Sequence, residues 1–245
     1  MLKPNIIAPQ RFIHQQPIVR GEEFGVLCWN TQKLTETVAF QVELARVLSQ
    51  FPSLFLLFQE AKLALQTDVH FPKWSYAVAP NMQTNKAFYG VLTASQFAFT
   101  DAQARLTLKR EGIFATFKSY MLSYHPLSNG QTLLVVNVHA INFVSANYFL
   151  MEIELLKAEL LDHNGPLIVA GDFNVWSRQR RLYLRQFCRS VGLRQAYMQD
   201  AQHIKAYRQH PLDFIFYRDL WLKEATAIDT TTVSDHNPIY ARFAV

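Results

Sequence analysis

The chain has 245 residues, half of them hydrophobic and 18% charged, with a net charge of +5. That composition excludes a disordered chain and suits one large domain. The longest apolar runs are too short to cross a bilayer, and no apolar h-region opens the chain, so stable membrane insertion and secretion are not expected. Two cysteines are too few for a disulfide framework, which points to a cytoplasmic protein.

Residues 1–22 lack periodicity and are expected to form an N-terminal arm laid on the domain through Ile6, Ile7, Phe12 and Ile18, with the domain proper spanning 23–245. Phe24 to Trp29 is an apolar strand ending in Asn30, Thr31, Gln32 and Lys33. Glu36 to Gln50 follows with Val38, Val42, Ala45 and Leu48 at helical spacing, closed by Pro52. A second apolar strand, Leu54 to Phe58, runs into Gln59 and Glu60. From Tyr76 to Tyr124 short β-rich runs, the last from Gly112 to Ser123, alternate with polar turns as in an antiparallel meander. Thr132 to Val138 is a strand that stops at His139. Ala146 to Asp162 is helical, with Phe149, Ile153, Leu156 and Leu160 on one stripe. Leu167 to Ala170 is a buried strand; Gly171, Asp172, Phe173 and Asn174 follow it. A basic helix expected to pack through Leu182, Leu184, Phe187 and Val191 comes next, then strands from Pro211 and from Trp221, and a last apolar segment from Ile239. Strand groups separated by three helices, with no linker or repeat, predict an α/β fold of two packed sheets.

The informative feature is repetition. Asn30, Glu60, His139 and the Asp172/Asn174 pair each follow an apolar strand, while Asp213 and the Asp235–His236 pair flank two more. In extended chain, residues two apart face the same side, so Asp172 and Asn174 are expected to project together; the plainer alternative has Asp172 capping the next helix and Asn174 filling a turn. If the strand ends meet, four carboxylates, two amides and two imidazoles share one edge. Carboxylates so close repel unless a cation joins them, and oxygen-rich donors suit Mg²⁺, or Mn²⁺, better than zinc. Such a site beside basic residues suits phosphoester hydrolysis. From Arg178 to Arg208 eight cationic residues face only Asp200, which fits a polyanionic partner or the solvated face of a helix. His14, His70, His125, His163, His203 and His210 show no metal-ligand spacing and are expected on the surface.

Six blocks in order, Trp29–Asn30, Gln59–Glu60, Asn137 to Asn142, Gly171 to Asn174, Leu212 to Phe214 and Ser234 to His236, resemble the endonuclease/exonuclease/phosphatase (DNase I-like) superfamily, and within it the small bacterial YafD-like branch. The resemblance implies a four-layer α/β/β/α sandwich with the site at one edge of two sheets. It implies Glu60, Asn30 and Asp235 as the metal-side residues, Asp172 and Asn174 orienting the attacking water, His236 held by Asp213 on the phosphoryl oxygens, and His139 serving the phosphate or leaving group. Gln32 and His139 replace an aspartate and a tyrosine of apurinic-site endonucleases, which weighs against a dedicated abasic-site enzyme. Gln32, Asn142, Trp176 and Arg178 are the expected substrate-binding residues, with Phe143 as a further pocket residue, although core packing suits the aromatics Trp176 and Phe143 at least as well. The function expected is a metal-dependent phosphodiesterase, a nuclease on DNA or RNA; a small phosphoester or phospholipid head group, or a non-catalytic binding role, are the alternatives.

Overall fold

A computed structural model describes residues 8–66, 71–111, 116–230 and 233–245. Ile6, Ile7, His70 and the first part of the run expected from Gly112 lie outside the described residues. The chain begins with β1 (Gln10–Arg11), β2 (Glu23–Asn30), α1 (Val38–Gln50), β3 (Phe55–Ala64), β4 (Ser75–Gln83), β5 (Ala87–Ser95) and β6 (Asp101–Leu106). It continues with β7 (Ser119–Pro126), β8 (Thr132–His139), α2 (Ala146–Leu161), β9 (Leu167–Asp172), α3 (Arg178–Val191) and β10 (Arg194–Gln195). The hairpin β11 (Ala206–Tyr207) and β12 (His210–Pro211) precedes β13 (Asp213–Arg218), β14 (Trp221–Ala227) and β15 (Ile239–Ala244).

One sheet runs β1-β4-β5-β3-β2-β15-β14, and the other β10-β13-β9-β8-β7-β6. Three apolar clusters separate four layers. Between the sheets pack Phe24, Val26, Phe55, Val135, Ile168 and Ile215. Phe40, Leu44 and Val47 of α1 cover the outer face of the first sheet against Trp29, Leu56 and Phe58. The helices α2 and α3 cover the second, through Phe149, Ile153, Leu184 and Phe187. The expected α/β/β/α sandwich is therefore the fold. No helix among the described residues is long and apolar enough to cross a membrane.

Each sheet is mixed, and its one parallel pair among these strands matters most. The pair β2 and β3 places Asn30 beside Gln59, and β8 and β9 place His139 beside Asp172. Parallel strands end at the same edge. Antiparallel β13 then starts there, with Asp213 opposite Asp172. Gly171 makes the β8–β9 approach possible: its φ is 146°, and a Cβ would lie 1.9 Å from the Val138 carbonyl oxygen. Any side chain would push the two strands apart just where His139 and Asp172 meet.

Some expectations are corrected. In α1 the buried stripe is Phe40, Leu44 and Val47, whereas Val38 and Val42 are 80% and 65% exposed. The larger Phe40 and Leu44 bury more apolar area than the valines and set the rotation of the helix. Leu182 of α3 is likewise exposed, at 45%. His125 is a core residue: its ring nitrogens lie 2.9 Å from Ala98 O and 3.0 Å from Ser123 Oγ, its ring sits edge-on to Phe55 and Phe99, and burial pulls its pKa down to about 3. The described part of the N-terminal stretch supplies edge strand β1, stacks Phe12 on Phe99 and buries Ile18 completely.

Candidate active site

The polar strand ends line one cleft of roughly 370 Å³, which holds Asn30, Gln32, Glu60, His139, Asn142, Asp172, Asn174, Asp235 and His236. Asp213 stands buried behind His236. Thus chemistry-bearing residues as far apart in the chain as Asn30 and His236 converge at the sheet edge.

Asp172 is the hub. Its Oδ2 accepts from Asn30 Nδ2 at 3.2 Å and lies 3.7 Å from His139 Nε2 and 4.0 Å from His236 Nε2. Its Oδ1 accepts the backbone N–H of Asn174 at 3.0 Å. That bond is an Asx turn, and Asn174 has φ 50°, so the two side chains meet through a turn after the strand and not through strand alternation. The N-cap of α3 is Ser177, which frees Asp172 from that role. Asn174 Nδ2 donates to the Ala140 carbonyl at 3.1 Å. Burial and the nearby Asp213 push the Asp172 carboxyl up to about 7, against the opposing charge of His236.

His236 Nδ1 donates to Asp213 Oδ2 at 2.9 Å. Asp213 Oδ1 is buried with no hydrogen-bond partner among the described residues, so the pairing to His236 is its main compensation. Burial opposes a charged imidazole, but Asp213 and then Asp172 outweigh it and raise His236 to about 9. Asp172, Asp213 and His236 form a cluster whose ligand atoms lie within 4.8 Å of one another. The backbone of His236 accepts from Trp29 Nε1 at 2.8 Å, and Ser234 Oγ donates to the Asn30 carbonyl at 2.7 Å, which locks the segment 234–236 onto the end of β2.

Glu60 is held differently. It has φ 50° in a break of the β3–β5 register between Phe58 and Ala61, a bulge that turns its side chain into the cleft. Lys33, Lys118 and His139 each approach its carboxylate only to 3.8 Å. Burial, with Lys118, His236 and Lys33 nearby, keeps His139 well below the ordinary histidine pKa and therefore neutral. Asp235 is exposed at the cleft mouth, 3.1 Å from Lys205 Nζ, and its N–H donates to Gln32 Oε1 at 3.3 Å.

Asn142 borders the cleft and joins it to its wall: its N–H donates to Glu111 Oε1 at 2.7 Å, and its Oδ1 accepts from Trp176 Nε1 at 2.9 Å. Arg178 is exposed at the start of α3, and neither it nor Trp176 lines the cleft. Lys118, Glu111 and Lys205 do line it, and no role was expected of them individually. The sequence signal for Lys118 is slight: β7 is antiparallel to β8, so the residues before β7 return to the edge where β8 ends. Arg180, counted with the basic stretch, is buried between Phe149 and Trp176 and donates to the carbonyls of Ile141, Val144 and Asn174. It braces the two loops that carry Asn142 and Asn174.

The profile of the Endonuclease/Exonuclease/phosphatase family matches residues 27–236. A UPF0294 protein of Erwinia tasmaniensis is 36% identical over 236 residues, covering 94% of this chain and 84% of that protein. Among solved structures, an endonuclease/exonuclease/phosphatase family protein from Leptotrichia buccalis superposes with a TM-score of 0.67 at 14% identity, over 91% of this chain and all of that one. AP endonuclease LMAP from Leishmania major gives a TM-score of 0.64 at 14% identity, over 91% and 88%.

Proposed function

We propose, since the chain belongs to the Endonuclease/Exonuclease/phosphatase family, that it is a metal-dependent phosphodiesterase of the cytoplasm, a nuclease that cleaves DNA or RNA by in-line attack of water. The observation that carries the reading is the convergence of Asn30, Glu60, His139, Asp172, Asn174 and His236 on one cleft, with Asp213 behind. Two free, buried thiols fit a reducing compartment.

The residues fit a hard divalent cation. Among the described residues no thiol lines the cleft and the Glu60 carboxylate meets only long ion pairs that leave both oxygens available, while Asn30 offers an oxygen that accepts the Gln32 N–H at 3.2 Å. Glu60, Asn30 and, at the mouth, Asp235 would hold Mg²⁺ or Mn²⁺. When bound, the ion would supply charge neutralisation at the phosphoryl group and a more acidic water.

The chain's own groups divide the remaining work. Asp172, poised to about 7, accepts the proton of the attacking water, and Asn174 fixes that water's direction. His236, kept charged by Asp213, stabilises the negative phosphoryl oxygens, and Asp213 sets its tautomer and tilt. Neutral His139 donates to the phosphate or the leaving oxygen. Gln32 and Asn142 on the cleft wall, and Trp176 and Arg178 outside that lining, are proposed to position substrate. A small phosphoester or phospholipid head group is the second reading, favoured by the modest volume of the cleft itself.

The test is hydrolysis of plasmid, single-stranded DNA, structured RNA, phospholipid and inositol phosphates with Mg²⁺, Mn²⁺ or EDTA. Metal-dependent cutting of a polynucleotide, abolished by Asp172→Ala and by Glu60→Ala, is the expected result. Turnover of the small phosphoesters alone would move the substrate to the second reading, and turnover insensitive to both substitutions would overturn the site.

A further inference from the structure

A second concavity lies outside the cleft. Arg181, Arg185 and Arg189 are four residues apart on α3 and form one stripe, at intervals of about 6 Å along the axis. With Arg194 they line a groove of roughly 780 Å³, floored by apolar side chains such as Leu184 and Phe214, and among the described residues no carboxylate lines it. The described arginines that form ion pairs are Arg46, Arg105, Arg218 and Arg242, and none of these four lines the groove. Arg181 Nη1 is buried without a hydrogen-bond partner among the described residues. Like charges stacked four apart repel one another, so the stripe is destabilising until an anion neutralises it.

The groove adjoins the cleft. Val175 and Pro211 line the groove, while their chain neighbours Asn174 and Leu212 line the cleft. Between them stands the β11–β12 hairpin, with Tyr207 edge-on to Trp176 and Arg208 over the Tyr207 ring. On the groove wall Tyr197 is 79% exposed and presents an aromatic face. A basic track with an accessible ring suits a strand whose bases are unpaired: arginines follow the phosphates and the ring stacks a base. We propose that this groove is an exosite for the single-stranded flank of a nucleic acid whose scissile phosphodiester occupies the cleft. The proposal rests on the nuclease reading of the cleft and adds a second, separable anchoring surface.

The experiment compares the wild type with Arg185→Glu/Arg189→Glu, both exposed positions, and with Tyr197→Ala, after circular dichroism confirms that each folds. The probe is a fluorescein-labelled oligothymidylate of about 20 nucleotides, longer than the ~4–16 a comparable groove covers. Fluorescence anisotropy is read in EDTA across a salt series. The double reversal should weaken binding at least about tenfold and flatten the log–log salt slope by about 1.4, from two contacts at ~0.7 each. Tyr197→Ala should weaken it at least about fivefold. Turnover of bis(p-nitrophenyl) phosphate with Mn²⁺, which reaches only the cleft, should be unchanged in all three proteins. Unaltered oligonucleotide binding and cutting in the variants would overturn the exosite and leave the nuclease reading standing. Lost binding in the variants, with no cutting of any polynucleotide by the wild type, would leave the groove as a binding surface but overturn both the nuclease reading and the exosite built on it. Absence of oligonucleotide binding by the wild type would overturn the proposal. So would variants that lose affinity for phosphatidylglycerol vesicles alone, because the groove would then belong to lipid head groups.

Discussion

The two sides of the cleft are built on opposite terms. On one side Asp213, on the regular strand β13, grips His236 at 2.9 Å, and neither side chain has room to adjust. On the other, Glu60 sits in a bulge at positive φ and meets three cationic or imidazole groups at 3.8 Å, each too long for a hydrogen bond. The first side is fixed by a short hydrogen bond, although Asp213 Oδ1 has no partner among the described residues. The second is an arrangement of charge around a carboxylate still free to take ligands. Preorganised dipoles serve a transition state best when they do not move, whereas a cation site must admit and release its ion.

The sharpest way to break this contrast is kinetic. Asp213→Asn should lower kcat/KM about a thousandfold at any metal concentration, because a mispositioned imidazole cannot be restored by added ion. Glu60→Gln should cost about a hundredfold and recover in part as Mg²⁺ is raised. If both respond to metal alike, the two sides are not distinct. A binding measurement comes next. Saturating Mg²⁺, about a hundredfold above its dissociation constant, should raise the wild-type Tm by about 5–10 °C, from ~2.7 kcal/mol at 2–4 °C per kcal/mol. That gain should vanish in Glu60→Gln and persist in Asp213→Asn; the reverse pattern would place the ion with Asp213.

A smaller effect tests the hub between the sides. The Asp172 carboxyl is raised from 3.8 to about 7, so the native state prefers it protonated. Its contribution is fully favourable below about pH 3.8 and is lost as pH rises through about 7. Asparagine does not titrate. In EDTA, Asp172→Asn should therefore raise Tm near pH 8, with the gain shrinking toward zero by about pH 4. A gain independent of pH would mean that burial of this carboxylate is not the cause. Smallest of all, Lys118→Met removes a cation that competes at Glu60, and Mn²⁺ affinity by calorimetry should rise about threefold. Weaker Mn²⁺ binding would make Lys118 part of the site's support and not a competitor.

The contrast also explains what could be read in the sequence. Asn30, Glu60, His139 and Asp172 announce themselves because each follows an apolar run, and His236 because it precedes one; sheet topology brings those ends together. Lys118 and Glu111 stand in no such pattern and come to the cleft only through antiparallel return of the chain. Arg180 looked like its basic neighbours because one turn of a helix separates a buried guanidinium from exposed ones, and only the loops at Ile141 and Val144 decide which it is. The α1 stripe was misread because two sets of apolar residues fit helical spacing there, and only the sheet beneath selects between them. His125 was missed for a related reason: its aromatic box comes from strands remote in sequence.

The place of β15 has a consequence for assembly in time. It lies in the interior of its sheet, between β2 and β14, and the segment just before it carries His236 onto Trp29 and Asn30. During synthesis the segment bearing Asn30 and Glu60 emerges long before its partner, and the first sheet stays open on one flank until Ile239–Ala244 are delivered. Pairing across so long a loop is slow to nucleate and cooperative once made. The edge that carries Asn30 and His236 is thus assembled only when Ile239–Ala244 pair with β2.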